Sequence, residues 1–169
     1  WIAAGSPRDG NSDPLADKTW PASKWAFGDP DYIIKIPPKS IPATGTIPYL
    51  YDTTDPIDIG KDRWVRASQY IAGDPGVLHH TLHRIIPPEN AGQGRGYGNP
   101  GAGDTGNPGL TPFVPGAEPR MNPPNTGGLL RDGSELAVQL HYTANGQETV
   151  DAGEIGVWFY PEGEVPEER

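Results

Sequence analysis

The stretch RWVRASQYI, residues 63–71, decides the fold class of this chain. Alternate side chains of the stretch share a face, with Trp64, Arg66, Ser68 and Tyr70 on one side and Val65, Ala67, Gln69 and Ile71 on the other. A side-chain period of two is that of a β-strand. No segment sustains the period of 3.6 that an amphipathic helix requires. We therefore expect an all-β protein.

Further apolar segments predict the remaining strands, at Tyr32–Ile36, Thr46–Tyr51, Val77–Ile86, Leu136–Thr143 and Glu154–Tyr160. The Gly and Pro residues at 73–76 predict a turn, so that residues 63–86 are expected to form a hairpin, and Asn145–Gly146 predicts another turn. Almost half of residues 87–128 are Gly or Pro, which predicts one long loop. This pattern is typical of an antiparallel β-sandwich, here expected to be jelly-roll-like.

Composition narrows the function classes. The net charge of −9 without a basic cluster argues against nucleic acid or an anionic membrane surface as partner. The chain contains no run of 18 apolar residues, so no membrane-spanning helix is predicted. The absence of cysteine excludes disulfides and thiolate metal sites. Residues 1–28 are expected to be a linker from a preceding domain, 29–161 the β-sandwich, and 162–169 the start of another linker.

The four histidines are the candidate functional residues. Three of them lie in Leu78-His79-His80-Thr81-Leu82-His83, and the fourth is His141 in the segment Gln139-Leu140-His141-Tyr142. Neutral imidazole is the commonest metal ligand in proteins, and three converging imidazoles suit copper or zinc. The sequence therefore predicts a metal site if the two segments meet.

Strand geometry decides which histidines belong together. Adjacent residues of a regular strand point to opposite faces, so His79 and His80 can share an ion only where the strand twists, bulges or ends. His83 lies on the face of His79 but about 13 Å away at ~3.3 Å per residue, so we expect it to be structural. Gln139 shares the face of His141, where its amide is expected to orient a ligand or a water.

The motifs His79-His80 and Gln139-Leu140-His141-Tyr142, separated by a long Gly/Pro segment, resemble those of the copper type II, ascorbate-dependent monooxygenases. This family includes peptidylglycine α-hydroxylating and dopamine β-monooxygenases. The likeness covers roughly residues 25–160, and further matches to bacterial multidomain members are Asp29–Ile34, Ile41–Gly45, Asp62–Val65, Phe113–Gly116 and Gly133–Leu136. Trp1–Gly5 is similar to the end of a c-type cytochrome domain.

The resemblance implies a function. His79, His80 and His141 would be the copper ligands of the family's first domain, which stores and delivers an electron, with Gln139 and Tyr142 behind them. It also implies a periplasmic or extracellular protein, an external reductant and a second copper domain with a His-x-His pair and a Met. The chain has no His-x-His, and its only methionine is Met121 in the Gly/Pro-rich loop. We therefore expect no hydroxylation by these 169 residues alone.

Two other interpretations remain open. The acidic stretch from Asp52 to Asp62 resembles a calcium loop, although it lacks the register and the closing Glu of an EF-hand. Five Trp and seven Tyr on a β-sandwich are also compatible with a non-catalytic module that binds carbohydrate by stacking, or with an assembly module. The three imidazoles would then need a separate explanation.

Overall fold

A computed structural model describes residues 2–5, 19, 23–92 and 110–167 of the chain. Ten strands are found in these ranges: β1 (Tyr32–Lys35), β2 (Lys39–Ile41), β3 (Leu50–Thr53), β4 (Arg63–Ile71), β5 (Leu78–Ile86), β6 (Arg120–Met121), β7 (Gly128–Leu130), β8 (Glu135–Tyr142), β9 (Thr149–Asp151) and β10 (Glu154–Phe159). The helical segments of the same ranges are two single 3₁₀ turns, Ile2–Ala4 and Pro88–Asn90. The all-β prediction is confirmed.

The strands form antiparallel sheets. The larger sheet has the order β1-β10-β4-β6, with β7 pairing a second stretch of β4, and the smaller sheet has the order β3-β8-β5. A two-stranded ribbon of β2 and β9 lies beside them. The sheets bury one common core, to which the larger contributes residues such as Val65 and Val157 and the smaller Val138 and Leu140. The all-β antiparallel sandwich expected from the sequence is therefore observed.

The predicted hairpin of residues 63–86 is wrong. Strand β4 pairs with β10, β6 and β7, whereas β5 pairs with β8 in the other sheet. The turn at 73–76 exists, but it carries the chain from one sheet to the other. The partners of β4, which are β10, β6 and β7, all come from much later in the chain.

Trp25 anchors the segment that precedes β1. Its ring is 7% exposed and packs with Ala67 and Trp158 in a second, smaller apolar cluster on the larger sheet. Most of the predicted linker 1–28, including Trp1 and Trp20, lies outside the described residues, as do much of the 87–128 loop and Arg169. Within the described ranges no helix has the length and hydrophobicity to cross a bilayer.

Candidate metal centre

The strand β5 contains one extra residue at its histidine pair. Leu78 pairs with Tyr142 and His80 pairs with His141, so two steps along β5 correspond to one step along β8. This is the arrangement of a β-bulge, in which the extra residue, here His79, has no partner of its own. The bulge removes the strict alternation that would otherwise send His79 and His80 to opposite faces.

The three imidazoles meet on the outer side of the smaller sheet. The Nδ1 atoms of His79 and His80 are 3.1 Å apart. The centroid of the His141 ring lies 5.0 Å from the centroid of each of the other two rings. One potential ligand atom from each residue lies within 4.8 Å of the other two. The two segments identified in the sequence therefore do come together.

Tyr49, just before β3, packs against the cluster. Its ring stacks on His141 with 4.6 Å between centroids and 27° between planes, and it lies 5.9 Å from the ring of His80. The side chain is 48% exposed, so one face covers the site while the rest remains open to solvent. Tyr49 is not recognisable as a site residue from the sequence, because its position opposite His141 follows from the β3–β8 register, which pairs Leu50 with Leu140.

Gln139 is placed where it can orient an imidazole. Its Nε2 donates to the hydroxyl of Tyr51 at 3.1 Å, and its side chain lies close enough to His80 to affect the pKa of that imidazole. Burial is the main cause that lowers the pKa of His80, and electrostatic repulsion from His141 and His79 lowers it further, while Gln139 acts in the opposite direction. The surroundings therefore favour a neutral His80, the form that binds a metal.

Tyr142 lies on the other side of β8. Its ring belongs to the core, and its hydroxyl donates to Asp151 Oδ2 at 2.8 Å. Any effect of Tyr142 on His141 must therefore act through the backbone of β8 or through Asp151, since its side chain points away from the imidazoles.

His83 is separate from the cluster. It faces inward opposite Val138, and its Nε2 donates to the Leu110 carbonyl at 3.3 Å. Burial lowers the pKa of His83 to about 4, and the hydrogen bond to Leu110 offsets only part of this effect. His83 therefore has structural contacts, as expected, but the prediction that it shares the face of His79 is wrong, because the bulge at His79 interrupts the alternation between them.

The other candidate from the sequence does not assemble. Within residues 2–5, 19, 23–92 and 110–167, the histidine cluster is the only group of three or more His, Cys, Asp or Glu with ligand atoms close enough for one ion. In the acidic stretch Asp52 pairs with Lys39, and Asp62 accepts from the amide of Asp132. These carboxylates stabilise the loop rather than converge on a shared point.

The donor set fits a nitrogen-binding metal. Two imidazole nitrogens on one ion, each bound at about 2.0–2.1 Å, are at most about 4.2 Å apart. The pair formed by His79 and His80 already satisfies this limit, and all the separations in the cluster lie within 4.8 Å. His141 Nδ1 is buried without a hydrogen-bond partner among the described residues. A metal bound there would supply the missing partner.

Comparison with protein-family models, with curated proteins and with solved structures finds no match to this chain. The interpretation of the site therefore depends on its own geometry and on the sequence motifs.

Proposed function

We propose that this protein is the copper-binding, electron-transferring domain of a copper type II monooxygenase-like protein located in the periplasm or outside the cell. The observation that carries the proposal is the convergence of His79, His80 and His141 from two strands at a β-bulge. A nitrogen-only donor set suits divalent copper, which binds such sites more tightly than other first-row metals. Zinc is the competing metal, because three histidines also hold catalytic zinc.

The residues of the chain have distinct parts in this proposal. The three imidazoles donate nitrogen lone pairs, and bound copper would supply a one-electron redox centre. Gln139 is held by Tyr51 beside His80, where its amide can orient that imidazole. Tyr49 restricts His141 by stacking. His79 is exposed, so an external reductant can approach the centre directly.

Hydroxylation with O₂ would require a second copper domain. We therefore do not assign that reaction to these residues alone. The resemblance implies that the second site has a His-x-His pair and a Met. This sequence has no His-x-His, and Met121 is its only methionine. Met121 lies in β6, which pairs with β4 of the larger sheet, away from the strands that carry the histidines.

A carbohydrate-binding surface is less well supported. Trp25 and Trp158 pack edge to face with each other, 7% and 3% exposed, and are not accessible to a sugar. Tyr51 is 52% exposed, but Tyr49 already has one ring face covered by His141. No row of free aromatic faces is formed by these side chains.

The test is an anaerobic copper titration followed by oxidation and EPR, on the wild type, on His141→Ala and on His83→Gln. We expect one tightly bound copper per chain with nitrogen hyperfine structure, lost in His141→Ala. His83→Gln is the matched control, since it removes a histidine of the same strand that lies outside the cluster, and it should bind copper like the wild type. Copper binding that is indifferent to His141, or displaced completely by equimolar zinc, would contradict the proposal.

A further inference from the structure

Asp151 is a buried carboxyl group that the proposed function does not use. It ends β9, is 1% exposed, and forms no ion pair with a described lysine or arginine. The nearby Lys39, its backbone partner on β2, is paired with Asp52 instead. Acidic side chains are rarely fully buried without a cation, so the position calls for a specific role.

The hydrogen bonds of Asp151 reach both segments that carry the imidazole cluster. Oδ2 accepts from the hydroxyl of Tyr142, the residue next to His141 on β8, at 2.8 Å. Oδ1 accepts from the backbone amide of Asp74 at 2.7 Å. One carboxyl group therefore contacts two pieces of chain that are distant in sequence.

The hydrogen bond to Asp74 connects Asp151 to the turn that precedes the β-bulge. The carbonyl of Asp74 accepts from the amides of Val77 and Leu78 at 3.3 and 3.2 Å, and His79 is the next residue. Leu78 in turn pairs with Tyr142. The bonds to Asp74 and Tyr142 thus close a loop around the base of the bulge, on the inner side of the sheet directly behind the imidazoles.

We propose that Asp151 is a positioning residue for the histidine cluster, which holds the turn before His79 and the end of β8 in one register. The inference rests on the proposed function, because it assigns a role toward the same site. Without the carboxyl group, the Asp74 amide and the Tyr142 hydroxyl lose their shared acceptor, and the two histidine-bearing segments are free to shift. Groups that hydrogen bond directly to metal ligands typically change metal affinity by about 10- to 100-fold when removed, and Asp151, which acts through the backbone, is expected at the lower end of that range.

The experiment compares Asp151→Ala, Asp151→Asn, Tyr142→Phe and Asn122→Ala. Asp151→Ala removes both bonds. Asp151→Asn retains them, because the amide oxygen accepts from Asp74 and the amide nitrogen donates to the Tyr142 oxygen once that hydroxyl turns. Tyr142→Phe removes only the hydrogen bond between Asp151 and β8. Asn122→Ala is the matched control, as it removes a buried side-chain hydrogen bond to the Val65 carbonyl on the other sheet.

Two quantities are measured for each variant: the copper dissociation constant, and the ring-to-ring NMR cross-peaks of His141 with His79 and His80 in the metal-free protein. We expect Asp151→Ala to weaken copper binding by about tenfold or more and to lose the cross-peaks, with Tyr142→Phe intermediate. Asp151→Asn and Asn122→Ala should retain wild-type values. Since Tyr142→Phe deletes a single hydroxyl, it keeps the test decisive should Asp151→Ala fail to fold.

The outcomes separate the two proposals. Wild-type affinity and cross-peaks in both Asp151→Ala and Tyr142→Phe would overturn the role of Asp151 while leaving the copper site intact. Losses as large in Asn122→Ala would also overturn it, because they would reflect general destabilisation. If the wild type binds no copper, the proposed function fails, and the cross-peaks still decide whether Asp151 positions the rings.

Discussion

His83 illustrates how strongly the surroundings of one residue determine its chemistry in this chain. It lies three positions after His80 on the same strand, yet it faces the core and donates a hydrogen bond to Leu110. Its other nitrogen, Nδ1, is buried and has no acceptor among the described residues. Protonation would place a donor there with nothing to accept it, which is why burial depresses the pKa of His83.

The depressed pKa of His83 predicts a stability loss in mild acid. The unfolded histidine binds its proton near its ordinary pKa of 6.5, whereas the folded one resists until about 4. The stability that neutral His83 contributes is therefore fully present above pH 6.5 and is lost as the pH falls toward 4. Between about pH 7.5 and about pH 5 the loss is on the order of 2 kcal/mol.

Urea denaturation of the wild type and of His83→Gln at both pH values measures this effect, because the carboxyl groups that also titrate are common to both proteins. The free-energy difference between wild type and His83→Gln should shift against the wild type at the lower pH. A difference that is constant with pH would show that His83 is accessible to protons in the folded protein.

The individual site residues were predictable to different degrees. The grouping of His79, His80 and His141 came from the resemblance of their two motifs, because strand geometry alone places His79 and His80 on opposite faces. His83 could be set aside from the rise per residue, which is a local property, although it lies on the core face rather than on the face of His79. Gln139 followed from its spacing to His141. Tyr49 did not, because its contact with His141 depends on the pairing of β3 with β8, which no local pattern in the sequence specifies.

For the strands, the position along the chain was easier to predict than the pairing with other strands. The limits of β4 were predicted to the residue, and those of β5, β8 and β10 to within one. The pairing partners of β4 were not predicted, because these strands, β6, β7 and β10, follow a long loop in the sequence. Short strands such as β6 and β7 escaped prediction, since two or three residues carry no periodicity. The bulge in β5 was only one of several possibilities until its register with β8 was known.

The attachment of the N-terminal segment to β10 predicts a specific steric dependence. A Cβ atom built on Gly156 would lie 2.6 Å from Cζ3 of Trp25, which is far inside van der Waals contact. We expect Gly156→Ala to destabilise the protein by about 1–3 kcal/mol through this overlap. In a Trp25→Leu background the obstructing ring is absent, so the same substitution should cost much less.

A double-mutant cycle in urea isolates this interaction. Equal costs of Gly156→Ala in the wild-type and Trp25→Leu backgrounds would mean that the clash is with something other than Trp25. A large coupling energy would establish that Trp25 is packed against the sheet in solution and that residues before β1 belong to the folded unit.

For the whole molecule, the fold and the candidate site depend on the same long-range contacts. The alternation of apolar residues was enough to predict packed antiparallel sheets, since a sheet with one apolar face must bury that face against another layer. It was not enough to predict convergence of the histidines, which come from segments about sixty residues apart in the chain. Only the β5–β8 pairing brings His80 opposite His141. Metal binding should therefore be coupled to folding of the complete sandwich.

This coupling predicts that copper stabilises the protein against unfolding. With free copper at about 100 times the dissociation constant, a ligand bound only by the native state adds about 2.7 kcal/mol to the free energy of unfolding. His79 and His80 remain neighbours in the unfolded chain and retain some affinity there, which makes this value an upper limit. Thermal or urea unfolding with and without copper measures the gain, and a chelator should reverse it. His83→Gln should keep the gain, while His141→Ala should lose it, because only folding brings His141 to the other two rings. Equal stabilisation of His141→Ala would mean that copper binds the folded chain elsewhere.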